Sequence, residues 1–213
     1  MKRILIIITS LLITTTIFSQ EKYKQDICNW TTVSASYSVI PQLNFSLTTE
    51  IRLKDNLSSF DMSRNKLNIK YSPIKYFNIA GGYTLFVKSE NYIFHRLELD
   101  LTGQYNFGNL NLSLRERIES NFHPDKNLTN LRSQIGIAYK IDKTGFRPYL
   151  QVEFYNPLNY KSNYTVNRMR YTLGSSYTLK KQHKFNLYLK IQDIKGTKNL
   201  QYIIGIGYAC KIK

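Results

Sequence analysis

The chain is poor in the residues that usually announce chemistry. Its 213 residues include only 2 Cys, 3 His, 1 Trp and 5 Pro. Three scattered histidines and two cysteines near opposite ends, Cys28 and Cys210, cannot supply the clustered nitrogen and sulfur ligands of a zinc site. Acidic residues are also scarce, 14 Asp and Glu against 30 Lys and Arg, too sparse in the polar stretches for a calcium loop of the EF-hand type. Neither a Walker-type motif nor a Gly-rich phosphate cradle is present. Gly81-Gly82, Gly205 and Gly207 fall inside strand patterns, where close packing or bends account for them. Long apolar runs are missing as well. The longest lies between Ile4 and Ile13 and is shorter than the roughly 20 residues a membrane helix needs. These absences set aside metalloenzymes, nucleotide-binding folds and helical membrane proteins, and no cofactor or metal is expected.

That one apolar run has another meaning. Lys2 and Arg3 precede it, and Ile17-Phe18-Ser19-Gln20 closes it with a small residue at the exit. A basic start, a short apolar centre and a small-residue end make a secretory signal, so residues 1–19 are expected to be a cleaved signal peptide and 20–213 the mature domain. No Cys follows the site directly, so a lipoprotein anchor is not expected. The formal net charge of +16 becomes about +14 without Lys2 and Arg3. In an exported protein this basic balance points away from nucleic acid and toward anionic head groups or an anionic solute, unless the lysines simply sit solvated in turns.

What is abundant is alternation. The chain is 14% aromatic, with 17 Tyr and 11 Phe. From Leu43 to Leu53, odd positions are apolar or Thr and even positions polar or charged, and Leu97 to Tyr105 repeats the pattern. It returns at Tyr171 and Leu173, at Phe185 to Ile191, and at Tyr202 to Tyr208. Strict period two over such lengths specifies strands. Tight turn candidates at 40–42, 72–75, 106–109, 142–145 and 180–183 alternate with longer polar stretches at 55–63, 89–91, 123–130, 156–165 and 193–199. Short turns on one side and longer loops on the other are the outer-membrane pattern.

About eleven strands are legible: 28–40, 43–54, 63–72, 77–88, 92–106, 109–121, 129–141, 147–156, 166–179, 184–194 and 199–212. Single-chain bacterial barrels close with an even number. The expectation is therefore an all-β, up-and-down antiparallel transmembrane barrel of twelve strands, with residues 21–27 adding a short one, or of ten if one segment is not a crossing. With first and last strands adjacent, a disulfide between Cys28 and Cys210 is conceivable. A soluble sandwich or lipocalin-like barrel is the rival, because alternation does not say which face is buried. Charges deep in the strands favour the membrane, as do Tyr76, Phe77, Tyr92, Phe94, Phe146, Tyr149, Phe154 and Tyr155, placed near strand ends where aromatic girdles belong.

The inward set then consists of Glu50, Arg52, Arg96, Glu98, Asp100, Arg115, Arg117, Glu119, Arg132, Glu153, Arg168 and Arg170. Such charges line a selective lumen, or pair with one another and fill a narrow barrel. No catalytic residues are expected. An outer-membrane lipid-modifying enzyme would rest on His95, on the outward face near a rim with Ser89 and Asn91 nearby; His123 and His183 read as a solvated loop and turn residue. A third reading is a surface binding module presenting loops such as 156–165.

Several segments together resemble a known family. They are Trp30, Glu50-Ile51-Arg52-Leu53, Phe94-His95-Arg96-Leu97, Leu131-Arg132, Arg147-Pro148-Tyr149, Val152-Glu153-Phe154-Tyr155, Arg170 to Gly174, and Tyr202 to Tyr208. In order and spacing the mature chain resembles uncharacterised outer-membrane β-barrels of Gram-negative bacteria, a domain of unknown function. The resemblance implies a barrel in the cell outer membrane and brings no activity. One departure is the ending Lys211-Ile212-Lys213, without a terminal aromatic. Expected partners are outer-membrane lipids, the barrel-assembly machinery during insertion, and small solutes or ions, with no nucleic acid. The expected role is a narrow porin-like channel or a structural barrel.

Overall fold

The computed structural model describes residues 24–89, 92–160, 165–197 and 199–212; the expected signal peptide at 1–19 lies outside them. Eleven strands run in chain order: β1 (Lys24–Ile40), β2 (Leu43–Lys54), β3 (Ser59–Ile74), β4 (Phe77–Lys88), β5 (Ile93–Phe107), β6 (Leu110–Phe122), β7 (Asn127–Tyr139), β8 (Phe146–Pro157), β9 (Arg168–Leu179), β10 (His183–Ile194) and β11 (Asn199–Ile212). Each strand pairs with its sequence neighbours, and β1 pairs with β11 to close the barrel.

The expected count of twelve or ten is corrected to eleven. Residues 24–27 do not form a further strand: they continue β1, in register with Asn199–Tyr202 of β11. The same segment is held on its other side by the β2–β3 turn, where Leu57 N–H donates to the Ile27 carbonyl (3.2 Å) and Asn56 N–H to the Asp26 carboxylate (2.9 Å). In an antiparallel meander with an odd number of strands, the first and last point the same way. Closure is accordingly parallel, from Lys24↔Asn199 to Tyr37↔Ile212.

The pairing also climbs. Following register partners from Ser38 through Asp100, Arg117, Arg132, Tyr155 and Arg168 leads around the barrel and back to β1 at Lys24, 14 residues from the start. That shear forces the strands to tilt, so side chains at one height come from positions displaced along successive strands. The turn end carries the reversals at 41–42, 75–76, 108–109, 140–145 and 180–182. Lys180 and Lys181, the central residues of the turn closed by Gln182 N–H to the Leu179 carbonyl, both have positive φ, 50° and 57°, the twist that suits a hairpin turn. The loop end is only modestly longer, at 55–58, 89–92, 123–126, 158–167 and 195–198. β3 and β7 extend into stretches that read as loop.

Burial is inverted relative to a water-soluble domain. On β5, outward Leu97, Leu99 and Leu101 are 53%, 49% and 43% exposed, whereas inward Glu98 and Asp100 are 5% and 8% exposed. The apolar buried cluster is small: Cys28, Trp30 and Ile203, with Tyr188 packed against it. It sits across the parallel seam. Gly205 belongs to the same contact, since a Cβ there would fall inside the Tyr188 ring. Both cysteines are free. Cys28 pairs in register with Ile203 and Cys210 with Ala35, a separation of seven residues, or roughly 23 Å along a strand, so the conceivable disulfide is excluded.

The seam can be checked by cross-linking. In a Cys28→Ser/Cys210→Ser background, the pairs Thr31→Cys/Ile206→Cys and Val33→Cys/Tyr208→Cys should both form disulfides on oxidation. A parallel ladder satisfies both pairs; an antiparallel or open seam satisfies at most one.

Candidate functional site

The interior is divided by height. Toward the turn end, inward positions carry small or neutral polar side chains such as Ser34, Ser113, Gly136, Ser176, Asn186 and Gly207. They line a cavity of about 450 Å³ together with Tyr149, Arg147 and Lys184. Toward the loop end a second cavity of about 460 Å³ is walled by arginines and by Trp30, Phe86, Phe94, Tyr155, Tyr160 and Tyr188. Gln151 and Tyr188 belong to both walls. Most members of a belt of ion pairs wall the loop-end cavity, and none of them lines the turn-end one.

Five carboxylates anchor the belt, and the shear brings cations to each from several strands. Glu98 meets Lys66 at 2.5 Å, Arg117 at 3.3 Å, Arg96 at 3.6 Å and Arg64 at 3.9 Å. Asp100 takes both Nε and Nη2 of Arg117, at 2.5 and 2.7 Å. Arg132 bridges Glu119 (2.6 Å) and Glu153 (2.7 Å). Glu153 also receives Arg115 at 2.6 Å, reaching across β7, and Arg170 at 3.4 Å. Glu50 pairs with Arg52 (2.6 Å) and Arg64 (3.6 Å). A bidentate, charge-assisted arrangement of this kind is stronger and more directional than a neutral hydrogen bond.

Cations nevertheless exceed carboxylates. Eleven of them, Arg52, Arg64, Lys66, Lys88, Arg96, Arg115, Arg117, Arg132, Arg168, Arg170 and Lys190, face five acids across the belt and the loop-end cavity among the described residues. Arg168 and Lys190 have no carboxylate oxygen within ion-pair distance among the described residues. Aromatic faces take the surplus instead: Lys190 lies 4.5 Å from the Trp30 ring centre, Arg168 5.2 Å from Tyr155, and Arg170 within reach of both. A ring face attracts a cation without cancelling its charge, so the cavity keeps a net positive field.

All twelve charged positions singled out above are at least half-buried on the interior side. The structure joins all of them except Arg168 into one ion-pair network rather than a ring at one height. Sequence reasoning overlooked Arg64, Lys66 and Lys190. Their signal was present: Arg64 and Lys66 alternate with Asn65 and Leu67, and Lys190 sits between Leu189 and Ile191. Among the expected girdle residues, Phe94 (5% exposed) and Tyr155 (4% exposed) are buried inside, and Tyr149 lines the turn-end cavity. Phe94 shares parity with Arg96 and Glu98; nearness to a strand end says nothing about the face.

The histidines are each joined to a tyrosine. Outward His95 contacts Tyr83 Oη through Nδ1 at 2.6 Å. His183 begins β10 rather than lying in a turn, and meets Tyr208 Oη at 2.8 Å. His123, on the loop after β6, stacks on Phe94 and contacts Tyr92 Oη at 3.1 Å. Partial burial first, then Lys88 and Lys126, hold His123 below the usual imidazole pKa. Ser89 is described but Asn91 lies outside the described residues, as do 161–164 of the expected binding loop.

Removing one acid should expose the dependence of the belt on its carboxylates. Glu98→Gln leaves four cations facing a neutral group, and breaking a buried pair in this way costs about 3 kcal/mol. Heat-modifiable migration at graded urea concentrations should show the variant unfolding earlier than the parent. An unchanged midpoint would mean that the belt does not carry stability.

Among known proteins, the model of the family described as "Protein of unknown function (DUF2490)" matches residues 28–202. No curated protein matches the chain. A solved structure titled "KdgM porin" is similar with a TM-score of 0.49 and 15% sequence identity, over 78% of this chain and 83% of that one.

Proposed function

We propose a role for a chain that belongs to the DUF2490 family of proteins of unknown function: a narrow outer-membrane channel with a preference for anions. Support for the membrane comes from the inverted burial. The outward face of every strand presents apolar side chains, and water would not tolerate so continuous a surface. In a bilayer without backbone partners for an open edge, only helices and closed barrels are stable, and this sheet is closed. Support for the outer membrane comes further from the secretory pattern of residues 1–19 and the β-barrel architecture.

The observation that carries the channel reading is the interior itself. Two cavities share Gln151 and Tyr188 in their walls, and the loop-end one is lined by charged side chains rather than packed apolar ones. Rings of charge select ions by sign. With eleven cations against five acids among the described residues, a passing anion meets an attractive field and a cation a repulsive one. The turn-end cavity, mostly neutral and small-residued, then serves as a wide antechamber, while the belt sets the conductance.

Single-channel recording in planar bilayers tests this. The folded protein should give small, discrete conductances, and a KCl gradient should give a reversal potential of the sign for chloride preference. Replacing Lys190 and Arg168 by Glu should move that potential toward cation preference. Folded, inserted protein that conducts nothing would remove the channel reading, and cation preference in the parent would remove the selectivity.

A further inference from the structure

We propose that the loop-end cavity is a binding site for a small multivalent oxyanion, of phosphate or polycarboxylate type, seated between Arg168 and Lys190. The inference deepens the channel reading and rests on it for access from solvent. The surplus positive charge is not spread evenly over the interior. Apart from Lys88, which lies over Tyr92 and Phe94, it collects where β9 and β10 meet Trp30 and Tyr155, in the order Lys190, Trp30, Arg170, Tyr155, Arg168. Arg170 at the centre is committed, to Glu153, to the Gln192 side chain at 2.6 Å and to the Tyr155 hydroxyl. The two outer cations are not. Neither has an acceptor among the described residues, and both line the cavity.

The nearby acids are already taken: Glu50, within electrostatic reach of Lys190, is held by Arg52 and Arg64, and Glu119, within reach of Arg168, by Arg96 and Arg132. Glu153 is shared among Arg115, Arg132 and Arg170. Arg132 is buried and its Nε also lacks an acceptor. Guanidinium and ammonium groups removed from bulk water need a counter-charge at close range, and the described residues supply no unshared carboxylate within ion-pair distance here. A multivalent oxyanion meets that need better than chloride. It offers several acceptor oxygens to donors on both sides and concentrates its charge in one object. The available 460 Å³ equals about 15 water volumes, enough for a molecule of that class with part of its hydration. Aromatic faces behind the cations keep them oriented toward the opening without competing for the anion's oxygens.

Binding is measured on the refolded barrel in detergent, where conduction plays no part. Inorganic pyrophosphate and citrate are titrated separately at matched ionic strength in NaCl. At least one should bind saturably, and the stronger of the two identifies the phosphate or polycarboxylate source. Arg168→Gln/Lys190→Gln should weaken that binding about a hundredfold, roughly tenfold for each lost charge-assisted contact. Arg147→Gln/Lys184→Gln removes the same charge from the turn-end cavity and should leave affinity within about twofold. Should the first double variant fail to fold, Arg168→Gln alone carries the test, since its guanidinium makes no hydrogen bond to the described residues. No saturable binding by either anion, or equal weakening in both double variants, would overturn the site. Conductance without binding would overturn the site and leave the channel; binding without conductance would do the reverse.

Discussion

The structure depends on carboxylates that are outnumbered. Each of the five interior acids is held by at least one guanidinium, and Glu98 by four cations at once. Isolated buried charges are costly, and pairing offsets the cost only where geometry is tight and the remaining donors are satisfied. The belt meets that condition at the acids and leaves it unmet at the outlying cations. Stability and electrostatic character thus have one origin. The same network that lets a polar interior exist also leaves it positive.

Tilt makes this network possible. Glu98 and Glu119 are direct partners across the β5–β6 pairing, a like-charge contact that stands only because cations reach both. An offset of 14 residues per circuit displaces equal heights along the strands. Arg96 can then reach Glu119, and Arg115 can pass β7 to reach Glu153. Parallel closure follows from strand parity alone, but it needs packing of its own. Trp30, Cys28, Ile203 and the Tyr188 ring over Gly205 provide it.

Much of this was legible in the residues. Alternation at Leu43–Leu53 and Leu97–Tyr105 identified strands and their charged face, because a side-chain period of two is a local property of extended backbone. Turn chemistry placed nearly every reversal within a few residues. Two things were misjudged for one reason. Phe94 and Tyr155 were assigned to a girdle, and residues 21–27 to an extra strand, by position along the chain; face parity and cross-strand pairing decide both, and neither is visible from position.

The sequence by itself determined that the protein is all-β, most of the residues that share the charged face, and that the chain is basic, because each of these follows from composition or from nearest-neighbour spacing. Only the tertiary structure decided how many strands close the sheet, that β1 and β11 run parallel, and which cations find an acid. Those outcomes are set by register and shear, which join residues more than a hundred positions apart. Lys190 and Arg168 look like any other charged strand residues in the chain. Their lack of a carboxylate partner exists only once the barrel has closed around them.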